Sequence, residues 1–194
     1  MDWSQLGVLI DPDERDQFGQ SLTAQAAKDG SFKVENVPSD NYHLVVTANS
    51  NFEGWRDYIT KEVIVNGKDA GDAGFSTSGG ATLVDVVVSA KGAAISGTVL
   101  DDSGQPISAV QVVCVPDESR RKRRDVYQQT QTDRNGNFAL RGLNPGEYRV
   151  FALDQPEPDI SDPEFVNLHE NSGQAVKLDE GERQTVVLKL STGE

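Results

Sequence analysis

The chain has 194 residues, is 36% apolar and 7% aromatic, and carries a formal net charge of -13. That content suffices for two modest cores of about a hundred residues each and excludes a disordered chain. The acidic balance repels nucleic acid and anionic lipid, and no stretch reaches the roughly 18 apolar residues of a bilayer-spanning helix.

The opening Met1-Asp2-Trp3-Ser4-Gln5 lacks the basic and apolar regions of a secretion signal, so it indicates no compartment. Leu6 to Ile10 reads as a strand, whereas Thr23 to Lys28 is too short and too polar for an amphipathic helix. Asp29-Gly30 supplies a tight turn ahead of an alternating strand at Phe32-x-Val34, and Pro38 begins the next turn. Tyr42-x-Leu44-x-Val46 alternates with period 2, as a strand with one buried face must. Leu83 to Val88 is a β-branched run, and Ala90-Lys91-Gly92 reads as a short linker. Beyond it Ile95-x-Gly97-x-Val99 alternates, Asp102 to Pro106 turns, and Ala109 to Val115 forms the partner strand. Asn135-Gly136 precedes a Phe138-led strand, Pro145-Gly146 bends the chain, and Tyr148-x-Val150-x-Ala152 alternates again. Thr185 to Leu190 closes the series. No convincing amphipathic helix is found, and many short strands punctuated by turns predict a β-sandwich.

The chain also repeats itself. Gly30, Phe32, Val34, Val37 and Tyr42 match Gly136, Phe138, Leu140, Leu143 and Tyr148 without a gap. Such self-similarity at domain spacing predicts two copies of one module, residues 1–91 and 92–194. Leu6 to Asp13 matches the second strand of the later copy, so the first copy is expected to lack an opening strand, as if cut from a longer protein.

Candidate chemistry is sparse. Cys114 lies in the apolar run Val112 to Val115 and reads as a small buried hydrophobe. His43 and His169 fall in separate copies, which excludes a catalytic zinc set, and no G-x-S-x-G elbow occurs. Asp154, Glu157, Asp159, Asp162 and Glu164 gather hard oxygen ligands of the kind calcium prefers, but prolines stiffen the loop and no EF-hand register fits. The alternative is a solvated acidic loop. Arg120, Arg121, Lys122, Arg123 and Arg124 form a basic run that reads as a solvated loop lying against the protein's own acidic surface, or else as a nucleic-acid or nuclear-import patch, a protease-processing site, or a contact for phosphate or an acidic polymer. Nucleic acid would need a wider basic face. Phe52, Trp55 and Tyr58 concentrate three rings, a platform suited to a sugar or else a cover for the core. No cofactor motif is found.

Ile95-Ser96-Gly97-Thr98-Val99 through Gly104-Gln105-Pro106, with Thr132-Asp133 to Phe138 and Leu143-Asn144-Pro145-Gly146-Glu147-Tyr148, resembles the signatures of carboxypeptidase regulatory-like domains. The likeness is good over 93–191 and looser over 4–90, where Ser39-Asp40-Asn41-Tyr42 replaces the usual Pro-Gly-x-Tyr. It implies an all-β chain of two tandem transthyretin-like, immunoglobulin-like Greek-key sandwiches. It also implies a non-catalytic structural or protein-interaction module of a larger bacterial envelope or secreted protein. The expected location is extracytoplasmic, with other domains of the parent or an envelope protein as partners and no membrane insertion by this segment. A carbohydrate-binding module using the aromatic cluster is the alternative.

Overall fold

The computed structural model describes residues 2–13, 21–48, 55–78, 80–157, 159–169 and 173–191. The chain divides into two compact units, Met1–Ala90 and Lys91–Glu194.

The second unit is a β-sandwich. Its strands are β8 (Ala93–Leu100), β9 (Gln111–Pro116), β10 (Gln128–Gln131), β11 (Asn137–Leu143), β12 (Gly146–Leu153), β13 (Gln174–Leu178) and β14 (Arg183–Ser191), with one short helix α1 (Pro163–Leu168). One layer runs β10-β9-β12-β13 and the other β14-β8-β11; two residue pairs between β12 and β14 stitch them at one end. Alternation drives Ile95, Val99, Phe138, Leu140, Val150, Val186 and Leu188 into one shared core. β9 departs from alternation, because all six of its residues are buried. Val112 and Cys114 face the inter-sheet core, whereas Val113 and Val115 face a second cluster with Phe151, Leu153, Ile160, Phe165 and Val166. A strand buried on both faces reads as a continuous apolar run.

The cover over that outer face is α1, where the sequence predicts a loop. Asp162 caps it, its carboxylate accepting from the backbone N–H groups of Glu164 and Phe165, and Pro163 occupies the first turn. Burying Phe165 and Val166 against β9 and β12 contributes about 1.5–3 kcal/mol each, which is what holds so short a helix.

The first unit comprises β1 (Leu6–Pro12), β2 (Leu22–Gln25), β3 (Asn41–Ala48), β4 (Ile59–Val65), β5 (Lys68–Asp69), β6 (Phe75–Ser76) and β7 (Val84–Ser89) among its described residues. Its layers are β2-β1-β3-β6 and β5-β4-β7. The first layer follows the pattern of β10-β9-β12-β13: β6 sets Phe75 opposite Tyr42 as β13 sets Val176 opposite Tyr148. Tyr42 and Tyr148 also share a hydroxyl bond to the carbonyl four residues upstream, Pro38 at 3.2 Å and Asn144 at 2.8 Å, a tyrosine corner that fixes the approach to the strand. One expected strand is absent. Residues 32–37 form none, whereas Phe138 and Leu140 lie in β11 opposite Gly97 and Ile95 of β8. A strand needs a paired edge, and among the described residues of the first unit nothing stands where β8 stands in the second.

Candidate functional site

The basic run is solvated only in part, at Lys122 and the half-buried Arg121 and Arg124, while Arg120 and Arg123 turn onto the protein's own carboxylates. It leaves β9 through two short 3-10 turns, Glu118–Arg120 and Arg124–Val126. The first turn swings Arg120 back beneath the end of β12, where it is only 5% exposed. Its Nε donates to Asp117 Oδ1 at 2.9 Å, Nη1 to the Pro145 carbonyl at 2.9 Å and Nη2 to the Glu147 carbonyl at 3.1 Å. The guanidinium also lies 4.7 Å above the centre of the Tyr148 ring. One cation thus satisfies two turn carbonyls, a carboxylate and an aromatic face, as a buried charge must. The turn leaves room only because residue 146 is glycine: its φ is +146°, and a Cβ there would meet Arg120 Nη2 at 2.2 Å.

Arg123 is equally removed from solvent, gripping Asp125 through Nε at 3.1 Å and Nη2 at 2.6 Å. Arg121 sends its carbonyl to the Tyr127 hydroxyl at 3.2 Å, Lys122 is exposed and Arg124 half-buried. With two of its five cations buried and engaged, the run presents no continuous basic face. Arg120 and Arg123 are therefore not solvated: Asp117 and Asp125 flank the run at turn-forming distance, and the Pro145 and Glu147 carbonyls and the Tyr148 ring, from farther along the chain, complete the site of Arg120.

These contacts tune the groups around them. Burial pushes the Tyr148 hydroxyl up to about 12 despite the nearby Arg120 charge. Burial also raises Asp117, but hydrogen bonds from Ser119 and Arg120 and the Arg120 charge outweigh it and hold the carboxyl below its ordinary value. Burial pushes the Cys114 thiol far above its ordinary value, so it is no nucleophile.

The contacts of Arg120 latch the turns after β9 to the start of β12, and beside this latch lies a cleft of about 550 Å³ lined by Val115, Tyr148, Phe151, Glu118, Arg149 and Lys177. Its lining carries charges of both signs and includes His169. The His169 ring stacks on Phe151 at 5.4 Å, and its Nδ1–H donates to the Phe165 carbonyl at 3.0 Å, so the ring serves as a cap on α1.

The candidate calcium ligands Asp154, Glu157, Asp159, Asp162 and Glu164 line one open cleft of about 650 Å³, but the carboxylates of Glu157, Asp159 and Asp162 are spent on local turns and a helix cap. Asp159 accepts from the Ser161 N–H and hydroxyl, Glu157 from the Asp159 N–H, and Asp162 caps α1. Among the described residues no group of three or more His, Cys, Asp or Glu side chains could hold a metal ion.

In the first unit, Trp55 and Tyr58 stack on each other at 5.3 Å and 13°. Phe52 lies outside the described residues. The pair is half-buried, and each ring has one face committed to the other. A buried contact that sequence reasoning missed is His43, whose Nδ1 lies 2.8 Å from Asp13 Oδ1 and whose Nε2 lies 3.2 Å from the Asp72 carbonyl. No local pattern announces it, because Asp13 and Asp72 arrive from different elements.

A family model for the carboxypeptidase regulatory-like domain matches residues 94–191. No curated protein matches the chain. Solved structures similar to it include a Pseudomonas aeruginosa protein assigned to carbohydrate binding (15% identity, TM-score 0.34, 51% of this chain and 88% of the other). The minor pilin GBS52 of Streptococcus agalactiae is similar at 11% identity and TM-score 0.37, over 97% of this chain and 83% of the other. BcpA, the major pilin subunit of Bacillus cereus, is similar at 12% identity and TM-score 0.33, over 96% of this chain and 56% of the other. Likenesses this loose carry no argument about function. The family model spans half of the chain and falls on the β8–β14 sandwich, and the protein belongs to the carboxypeptidase regulatory-like domain family.

Proposed function

We propose that the chain is a non-catalytic structural and protein-interaction module of a larger bacterial envelope or secreted protein, acting outside the cytoplasm. The observation that supports this most is the engagement of its reactive groups. Arg120, Tyr148, Cys114, Asp162 and His169 all serve turns, caps or core; Tyr148 and His169 line the cleft, but the Tyr148 hydroxyl is held by the Asn144 carbonyl and the His169 Nδ1–H by the Phe165 carbonyl. What the fold offers partners is loops and strand edges.

A glycan role would use Trp55 and Tyr58. Stacked and half-buried, the two rings leave at most one outer face each for a sugar, so the protein-interaction reading takes precedence. The test is a screen of the purified chain for turnover of generic peptide, ester and glycoside substrates, with melting curves against an oligosaccharide panel. No turnover and no saturable shift is expected. A sugar that raises the melting temperature saturably, and does so no longer after Trp55→Ala, would move the assignment to carbohydrate binding. Turnover of any substrate would overturn it.

A further inference from the structure

In the second unit a single strand, β8, lies between β11 and β14, antiparallel to the first and parallel to the second. With β8 in place Phe138, Leu140, Val186 and Leu188 are 3–4% exposed. In the first unit Phe32 and Val34, the repeat partners of Phe138 and Leu140, are only half-buried, as are Val84 and Val86 of the closing strand β7. Between 31–37 and β7 lie two adjoining cavities of about 490 and 550 Å³. Their floor is the core itself, Val8, Ile10 and Leu44. β7 pairs with β4, and no further strand pairs with β7 among the described residues.

We infer that this groove is a docking slot for one extended peptide strand, donated by a partner protein, running parallel to β7 and antiparallel to residues 31–37. This deepens the protein-interaction reading and rests on it. The occupant's chemistry follows from β8, which fills the corresponding place: apolar, β-branched residues at alternate positions around a central glycine. Gly97 is required there because a Cβ would meet the Val186 carbonyl at 2.0 Å and the Phe138 ring at 2.9 Å. Strand addition of this kind draws affinity from main-chain bonds and specificity from alternate side chains, and it extends the β5-β4-β7 sheet by one strand.

Charge points to the source. Asp29 and Asp85 line the groove, Lys33 is matched by Glu35 at 2.6 Å, and the whole chain carries -13. A strand with basic flanks is favoured and a second copy of this chain is repelled. A second copy is also unable to lend β8 without opening its own sandwich, where Ile95 and Val99 are fully buried.

The probe is a synthetic peptide of residues 93–100 with two lysines at each end, titrated into the intact chain by calorimetry and followed by amide exchange. One peptide should bind per chain and slow exchange across 32–37 and 84–89. Replacing its glycine by valine should weaken binding at least about tenfold. In the protein, Val86→Asp should abolish binding, and Val87→Asp, on the solvent face of β7, should leave it intact and so control for folding. Equal binding of a scrambled peptide, or no protection of those amides, would overturn the slot. A chain that dimerises through the groove, or a longer form of the protein whose own residues fill it, would overturn the partner as the source. Failure of the peptide leaves the non-catalytic reading intact, since that reading is tested separately by turnover.

Discussion

At the residue scale, Arg120 is the side chain on which the second unit's geometry turns. Removing it takes one donor from Asp117 and from the Glu147 carbonyl, which keep Ser119 and the Asp117 N–H, and takes from the buried turn its bond to the Pro145 carbonyl, so Arg120→Ala should cost about 2–4 kcal/mol. Arg120→Lys should recover little, because an ammonium cannot span three acceptors and stack on Tyr148. Lys122→Ala, two residues away and exposed, should stay within about 0.5 kcal/mol. Calorimetric melts of the three variants decide this; equal effects at 120 and 122 would contradict the latch. Tyr148 adds a pH signature. Its hydroxyl is raised from 10.0 to about 12, so the stability it contributes is complete below pH 10 and is lost as pH rises toward 12. Tyr127 is raised to about 12 as well, so Tyr148→Phe should shallow the alkaline loss of stability without abolishing it, as melting curves from pH 9 to 12 would show.

At the element scale, the acidity that looked like a surface property is partly turn chemistry. Asp29, Asp101 and Asp133 each accept from the N–H two residues on, and backbone N–H groups, with the hydroxyls of Ser31 and Ser103 at the first two and the Asn137 amide at the third, hold all three below the ordinary carboxylate value. A depressed carboxylate contributes stability above its unfolded pKa and loses it as pH falls through the folded value. Melting temperature should therefore be flat from pH 7 to 5 and fall below about 4. A decline beginning near pH 6 would contradict this. The strand β8 carries its own prediction: Gly97→Ala places a methyl on the Val186 carbonyl and should cost about 3 kcal/mol or more, measured by denaturant unfolding. Most strands were legible in the sequence, because period-2 alternation at Tyr42, Ile95 and Tyr148 and the Gly turns state the fold locally. Two readings failed for non-local reasons. The strand at Phe32 lacks an edge to pair with, and α1 forms because β9 needs a cover on its outer face. Asp162-Pro163-Glu164 did carry a helix-start signal, as did the unbroken apolar run of β9 a need for burial on both sides. Of the candidate sites, the basic run was visible as composition, but its burial depended on Tyr148 and Pro145, more than twenty residues downstream.

At the scale of the whole molecule, the account rests on a contrast between its two units. The second closes its core with β8, while the described residues of the first leave a groove at the corresponding place. Local stability should follow this contrast, since amides in completed sheets open only with the fold and edge amides open more readily. Amide hydrogen exchange on the intact chain, read segment by segment, tests it most directly. The account predicts slow exchange near the global limit for 138–143 and 185–190, with exchange faster by orders of magnitude for 32–37 and the outer amides of 84–89. Equal protection of the two sets would contradict it.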